Sequence, residues 1–141
     1  MNEKRVVLDA NILLRGVLGH RVLGLLDSYA DAVAFYSPDI CFEEAQKHIP
    51  AIARRRNADP TGGLLLLERI AETVAVVDRV LYEEHEARAR YRISSRDEAD
   101  WPVVATSLLL DCPVWTEDKD FFGSGVATWT TATIEIYLRG K

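Results

Sequence analysis

Six carboxylates in this chain of 141 residues stand where side chains could converge on one centre: Asp9, Glu44, Asp97, Asp100, Asp118 and Asp120. Asp9 closes the apolar run Val6-Val7-Leu8, and Asp118 and Asp120 follow Val114-Trp115-Thr116. Asp97 and Asp100 open the apolar segment that leads into that second run. One acid at a strand end is most often a helix cap or turn residue, but several at the same edge need another account. Two carboxylates about 5 Å apart repel by roughly 3 kcal/mol at an effective dielectric of 20. Gathering four costs several times as much unless protons or cations offset it. Mg²⁺ or Mn²⁺ is the natural compensation, because water and a substrate phosphate complete a shell that a few carboxylates begin. Such a centre suits phosphoryl transfer, with a bound water of lowered pKa and positive charge against the phosphate.

Helical geometry separates the neighbours Glu43 and Glu44. At about 100° per residue, Cys41, Ala45, Ile49 and Ile52 form one apolar stripe, with Glu44 at its rim and Glu43 nearly opposite. Glu44 is therefore the carboxylate able to reach inward. Two clusters of cations, Arg54-Arg55-Arg56 and the series Arg88, Arg90, Arg92 and Arg96, could track a phosphate backbone or simply solvate a helix face. The bland reading for Asp100 is a helix cap that leaves Pro102 in the first turn.

These residues need a scaffold. Residues 5–9 read as a Val-rich strand buried on both faces, followed by a turn at Asp9-Ala10-Asn11 and a helix from Ile12. A helix through residues 20–29 and a strand at 32–36 come next. Ser37-Pro38 then reads as a helix start, Ser as the cap and Pro as the first helical residue. Residues 57–63, Asn-Ala-Asp-Pro-Thr-Gly-Gly, read as a loop between helices, with helix resuming at Leu64. Residues 74–77 read as a third strand, 81–91 as a charged helix, 101–110 as a helix apolar almost all round, and 113–116 and 126–129 as two more strands; a last helix is expected to start near Thr130 or Thr131. Strands alternating with helices predict an α/β fold: a three-layer α/β/α sandwich around a central, mostly parallel sheet of about five strands, in one domain spanning residues 1–141.

Composition narrows the class. The hydrophobic fraction is 48% and the charged fraction 28%, which is globular rather than disordered, and no apolar run is long enough to span a bilayer. A membrane association is not expected, and the absence of a signal-like start predicts a cytoplasmic chain. Cys41 and Cys112 lack metal or redox spacing and read as reduced thiols. The net charge of -5 argues against coating nucleic acid through bulk positive charge. Its distribution is uneven: residues 47–96 carry +3 and the rest -8, with seven acids and one base between positions 97 and 120.

Four segments in order, Val6-Val7-Leu8-Asp9-Ala10-Asn11-Ile12-Leu13, Phe42-Glu43-Glu44-Ala45, Arg96-Asp97-Glu98-Ala99-Asp100-Trp101 and Thr116-Glu117-Asp118-Lys119-Asp120-Phe121, resemble those of PIN-domain ribonucleases. The resemblance implies about five parallel strands flanked by helices and an acidic pocket that binds Mg²⁺ or Mn²⁺ and hydrolyses RNA phosphodiesters. A stand-alone domain of this size resembles the VapC-like toxin of a prokaryotic toxin–antitoxin pair. Position by position, Asp9 matches the first metal-binding acid with Asn11 supporting it, and Glu44 matches the helix glutamate. Asp100 matches the third acid, with Asp97 accessory, and Asp118 the fourth, with Thr116 orienting metal or water; Asp120 reads as structural. On this reading Asp9, Glu44, Asp100 and Asp118 are catalytic, and Asp9, Asp100 and Asp118 hold the metal. Arg54, Arg55, Arg56 and Arg96 are the candidate RNA contacts. The implied partners are RNA, a cognate antitoxin and a second copy of the chain.

Three rivals share these features. A non-catalytic module of the same fold would keep an RNA- or protein-contact surface without metal, and an RNA-processing nuclease would share the chemistry without the toxicity. A haloacid-dehalogenase-type phosphatase also places an Asp after the first strand, but wants a second acid where this chain has Asn11.

Overall fold

The computed structural model describes residues 3–140. Five strands, β1 (Lys4–Leu8), β2 (Val33–Pro38), β3 (Val74–Val77), β4 (Val114–Trp115) and β5 (Thr128–Trp129), form one sheet in the order β3-β2-β1-β4-β5. Every pairing is parallel. The chain starts in the middle, builds outward to β3, then crosses back to place β4 on the other side of β1. Parallel strands need such crossovers, and here helices supply them. As the central strand, β1 is covered on both faces, so Val6, Val7 and Leu8 have no exposed surface.

Helices α1 (Ala10–Leu18), α2 (Arg21–Tyr29), α3 (Asp39–Arg55) and α4 (Pro60–Thr73) pack on one another in one layer. In the other, α5 (Arg79–Tyr82) and α6 (Glu86–Arg92) pack on α7 (Trp101–Leu110), which lies on β1 and β2. The result is the expected three-layer α/β/α arrangement. Seven residues of α7, from Trp101 to Ser107, are buried, as its lack of a polar face requires. A final helix, α8 (Ile134–Arg139), is tied to α2 by the Tyr29 hydroxyl, which donates to Glu135 at 2.7 Å. Among the described residues no helix is long and apolar enough to cross a membrane. Both cysteines are free, Cys41 buried and Cys112 half-buried.

Local chemistry corrects several expected boundaries. Ser37 does not cap a helix: it lies inside β2, and its hydroxyl donates to the Leu8 carbonyl at 2.7 Å. Pro38 ends the strand in extended geometry and α3 begins at Asp39. Most of the expected loop at 57–63, from Pro60 on, is helix, because Asp59 caps the Thr61 amide at 2.9 Å and Pro60 takes the first helical position. The charged segment after β3 is broken by a 3₁₀ turn, Glu83–His85, into α5 and α6. The last helix starts at Ile134, three or four residues later than expected, after a turn in which the Thr133 amide donates to the Thr130 carbonyl at 3.1 Å.

Candidate active site

The change of direction in strand order falls between β1 and β4, and the crevice beyond the carboxyl ends of strands at such a point is where open parallel sheets place ligands. Leu8 pairs with Trp115, so Asp9 and Thr116 emerge side by side from adjacent strands. Asp9 caps α1, its Oδ1 accepting from the Ile12 amide at 3.0 Å. Its Oδ2 accepts from the Thr116 hydroxyl. That hydroxyl oxygen in turn accepts from the Asp118 amide at 2.9 Å, and Asp118 Oδ1 accepts from the Asp120 amide at 2.9 Å. One buried threonine thus couples the acid after β1 to the acid turn after β4.

Asp100 enters from the other side, at the junction of the 3₁₀ turn Glu98–Asp100 and α7. It does not act as a cap: that work falls to Asp97, whose Oδ1 accepts from the Ala99 amide at 3.0 Å. Asp100 Oδ2 is buried with no hydrogen-bond partner. An orphaned buried carboxylate oxygen is costly, and a cation or proton is what would relieve it. Carboxylate oxygens of Asp100, Asp118 and Asp120 lie within 4.8 Å of one another. Asp120, read from sequence as structural, therefore stands with the other two. The turn capped by Asp118 folds it back, a placement that the i, i+2 spacing of the two acids does not fix by itself.

A cavity of about 80 Å³, ample for a cation with a few waters, is lined by Asp9, Asn11, Cys41, Glu44, Asp100 and Asp118 with Pro102 and Val103. Glu44 is exposed on α3, one turn beyond Cys41, at the rim. The concentration of negative charge shows in proton affinity. Burial pushes Asp9 up to about 6, against the stabilising bonds from Thr116 and Ile12, and the charges of Asp118 and Glu117 add to the rise. Burial pushes Asp100 up to about 7, reinforced by Asp118, Asp97, Asp9 and Asp120. Cys41, missed in the sequence as a lining residue, is raised by its burial and by the nearby Asp9 and Glu44, which keeps the thiol protonated.

The candidate RNA-contact arginines lie apart from one another. Arg54, Arg55 and Arg56 are exposed at the far end of α3, roughly 15 Å along the helix axis from Glu44 at 1.5 Å per residue. Arg96 precedes Asp97 and its guanidinium rests over Gly123.

The acids after β1 and β4, the glutamate on α3 and the acid opening α7 recur in the order that the sequence resemblance required. A family model described as PIN domain matches residues 7–139. The chain belongs to the PIN-domain family. Solved structures share the fold of this PIN chain at low identity. PAE2754 from Pyrobaculum aerophilum superposes with a TM-score of 0.72 at 14% identity, over 99% of this chain and 92% of that one. A chain of VapBC2 from Rickettsia felis, bound to a DNA fragment from its promoter, gives 0.69 at 10% identity, over 89% and 98%. A chain of a toxin–antitoxin complex from Klebsiella pneumoniae gives 0.61 at 18% identity, over 89% and 97%. No curated protein sequence matches this PIN chain.

The donor set fits a hard divalent cation. The side-chain ligands at the cavity are carboxylate or amide oxygens apart from one protonated thiol, and Asp100 Oδ2 lacks any protein partner.

Proposed function

We propose that this PIN-domain protein is a Mg²⁺- or Mn²⁺-dependent endoribonuclease and that it acts as the toxin of a toxin–antitoxin pair. The observation that carries the reading is the convergence of Asp100, with its unpartnered buried oxygen, on Asp118 and Asp120 at the same cavity as Asp9. On this reading Asp9, Asp100 and Asp118 are the metal ligands, and Asp120 is close enough to share that work. When bound, the cation supplies a water of lowered pKa and positive charge against the scissile phosphate.

The chain's own groups supply orientation and proton handling. Thr116 holds Asp9 Oδ2 and the Asp118 backbone in one arrangement, so the two acids present their free lone pairs together. Asp97 fixes the turn that delivers Asp100, and Asn11 faces the cavity from the first turn of α1. Glu44, exposed at the rim, is suited to accept the proton of the attacking water and return it to solvent. No residue of nucleophile type is required, and Cys41, kept protonated, is not one.

The test is cleavage of RNA oligonucleotides by the purified protein with Mg²⁺ or Mn²⁺, leaving a 5′-phosphate and a 3′-hydroxyl. Asp9→Asn should abolish it, and full activity in EDTA or in that variant would overturn the mechanism. Support for the toxin assignment comes from the fold shared with the chains of the Rickettsia and Klebsiella complexes. An antitoxin segment with a basic side chain would complement the acids, and a homodimer is the assembly we assign. Co-expression with the adjacent reading frame separates toxin from processing enzyme: if that product neither relieves growth arrest nor co-purifies, the toxin assignment fails and the nuclease can stand.

A further inference from the structure

The two loops that bring the acids together also meet at a second point. Arg96 lies four residues before Asp100, and Gly123 three after Asp120; a side-chain carbon added at Gly123 would lie 2.9 Å from Arg96 Nη2. Gly123 has φ +84°, so glycine both permits the turn and leaves room for the guanidinium. A neighbouring arginine, Arg92, holds the same loop by donating to the Ser124 carbonyl at 3.1 Å. Arg96 is exposed and, among the described residues, makes no side-chain hydrogen bond or ion pair, whereas Arg79 and Arg90 are paired with glutamates. Lys119, in the acid turn, is likewise exposed and without an ion-pair partner among the described residues.

The residue before Gly123 is an exposed aromatic, Phe122. Phe121 is 1% exposed and anchors the turn in the core; Phe122 is 41% exposed. A single exposed apolar side chain is ordinary. This one follows Asp120 by two residues, within about 7 Å of chain, and adjoins the loop on which an unpaired guanidinium rests. A flat ring next to free cations, flanking a cluster of acids, has the chemistry of a site for an unstacked base and its phosphate.

We infer that Phe122 and Arg96, with Lys119, form a single-stranded RNA subsite beside the acidic cavity, one base stacking on Phe122 and its backbone phosphate meeting Arg96. The inference rests on the ribonuclease reading for its substrate and adds the side chains of this chain that would hold one unpaired base and its phosphate. A duplex keeps its bases stacked and offers no free face to the ring.

Binding separates the two claims. In an Asp9→Asn background, which holds the RNA intact, fluorescence anisotropy with a labelled single-stranded RNA oligonucleotide and Mg²⁺ should show Phe122→Ala weakening affinity about 5- to 150-fold, the range that stacking of one base spans. Phe122→Trp should restore it, and affinity for the same sequence as a duplex should change by less than about twofold. Arg96→Gln should lower the slope of log affinity against log salt by about 0.7. Phe122→Ala binding within about twofold of its parent, Phe122→Trp as weak as Phe122→Ala, or equal losses on duplex would overturn the subsite. If the wild-type protein cleaves RNA while Phe122 proves indifferent, the subsite falls and the nuclease stands. If binding depends on Phe122 and no cleavage occurs, the subsite stands and the nuclease falls.

Discussion

Asp100 and Asp9 carry the cost of the site in their own ionisation. Asp100 is raised from 3.8 to about 7, so between those values the folded chain binds more protons than the unfolded one. Stability of the metal-free protein then falls as pH rises through that window, since the slope follows the excess of protons on the unfolded state, here negative. Asp9 acts in the same direction between 3.8 and about 6. Asparagine at position 100 keeps the shape and removes the charge. In EDTA at pH 8, Asp100→Asn should therefore melt above the wild type, and the gain should vanish toward pH 4. Metal reverses the sign, because a ligand must first lose its proton, so Mn²⁺ affinity should climb up to about pH 7 and then level. A wild-type protein as stable as Asp100→Asn in EDTA at pH 8 would show that the buried oxygen costs nothing.

Elements differ in how they tolerate a change, and two glycines make the contrast measurable. Both lie in helices, so replacement by alanine gains the same helix propensity, up to about 1 kcal/mol. At Gly16 of α1 the added carbon meets Ile70 Cδ1 at 2.9 Å, the far end of a side chain that can swing. At Gly63 of α4 it meets Ile49 Cγ2 at 2.9 Å and Val17 Cγ1 at 3.3 Å, on stiff β-branched residues of α3 and α1. Gly63→Ala should therefore be less stable than Gly16→Ala by about 1 to 2 kcal/mol in urea unfolding, a typical overpacking cost; equal midpoints would mean α4 moves freely on its layer. The same packing explains what the sequence could and could not disclose. Strand 74–77 and helix 101–110 were legible as apolar runs of strand and helix length, although only the helix is buried almost throughout; β3, at the sheet edge, buries Val74 and Val77 alone. Ser37-Pro38 misled, since a helix-start pattern is also a strand end when the hydroxyl finds a carbonyl on the next strand. The four acids at strand and helix ends were readable from spacing, whereas the place of Asp120 depends on a turn that no spacing fixes.

At the scale of the whole molecule, the proposed function asks a chain of net charge -5 to approach an anion, and the excess of acid sits where that substrate would be cut. On the proposed function, bound metal would change that balance before RNA arrives. Mn²⁺ at 100 times its dissociation constant should stabilise the fold by about 2.7 kcal/mol, which for a chain of this length is a rise in melting temperature of about 5 to 10 °C; at the same Mn²⁺ concentration the rise should be smaller in Asp9→Asn, which loses one ligand and keeps Asp100, Asp118 and Asp120. It should also govern how RNA binds. If Arg96 and Lys119 are the main phosphate contacts, two cations give a log affinity against log salt slope of about -1.4, at about -0.7 per contact for a single strand. Arg54, Arg55 and Arg56, at the far end of α3, would add three more and bring the slope to about -3.5. Titrating single-stranded RNA into Mn²⁺-loaded Asp9→Asn across a salt series distinguishes the two. A shallow slope that Arg54→Gln and Arg55→Gln leave unchanged means that the RNA stays at the acid-bearing edge of the sheet. A steep slope that those substitutions flatten means that it runs the length of α3.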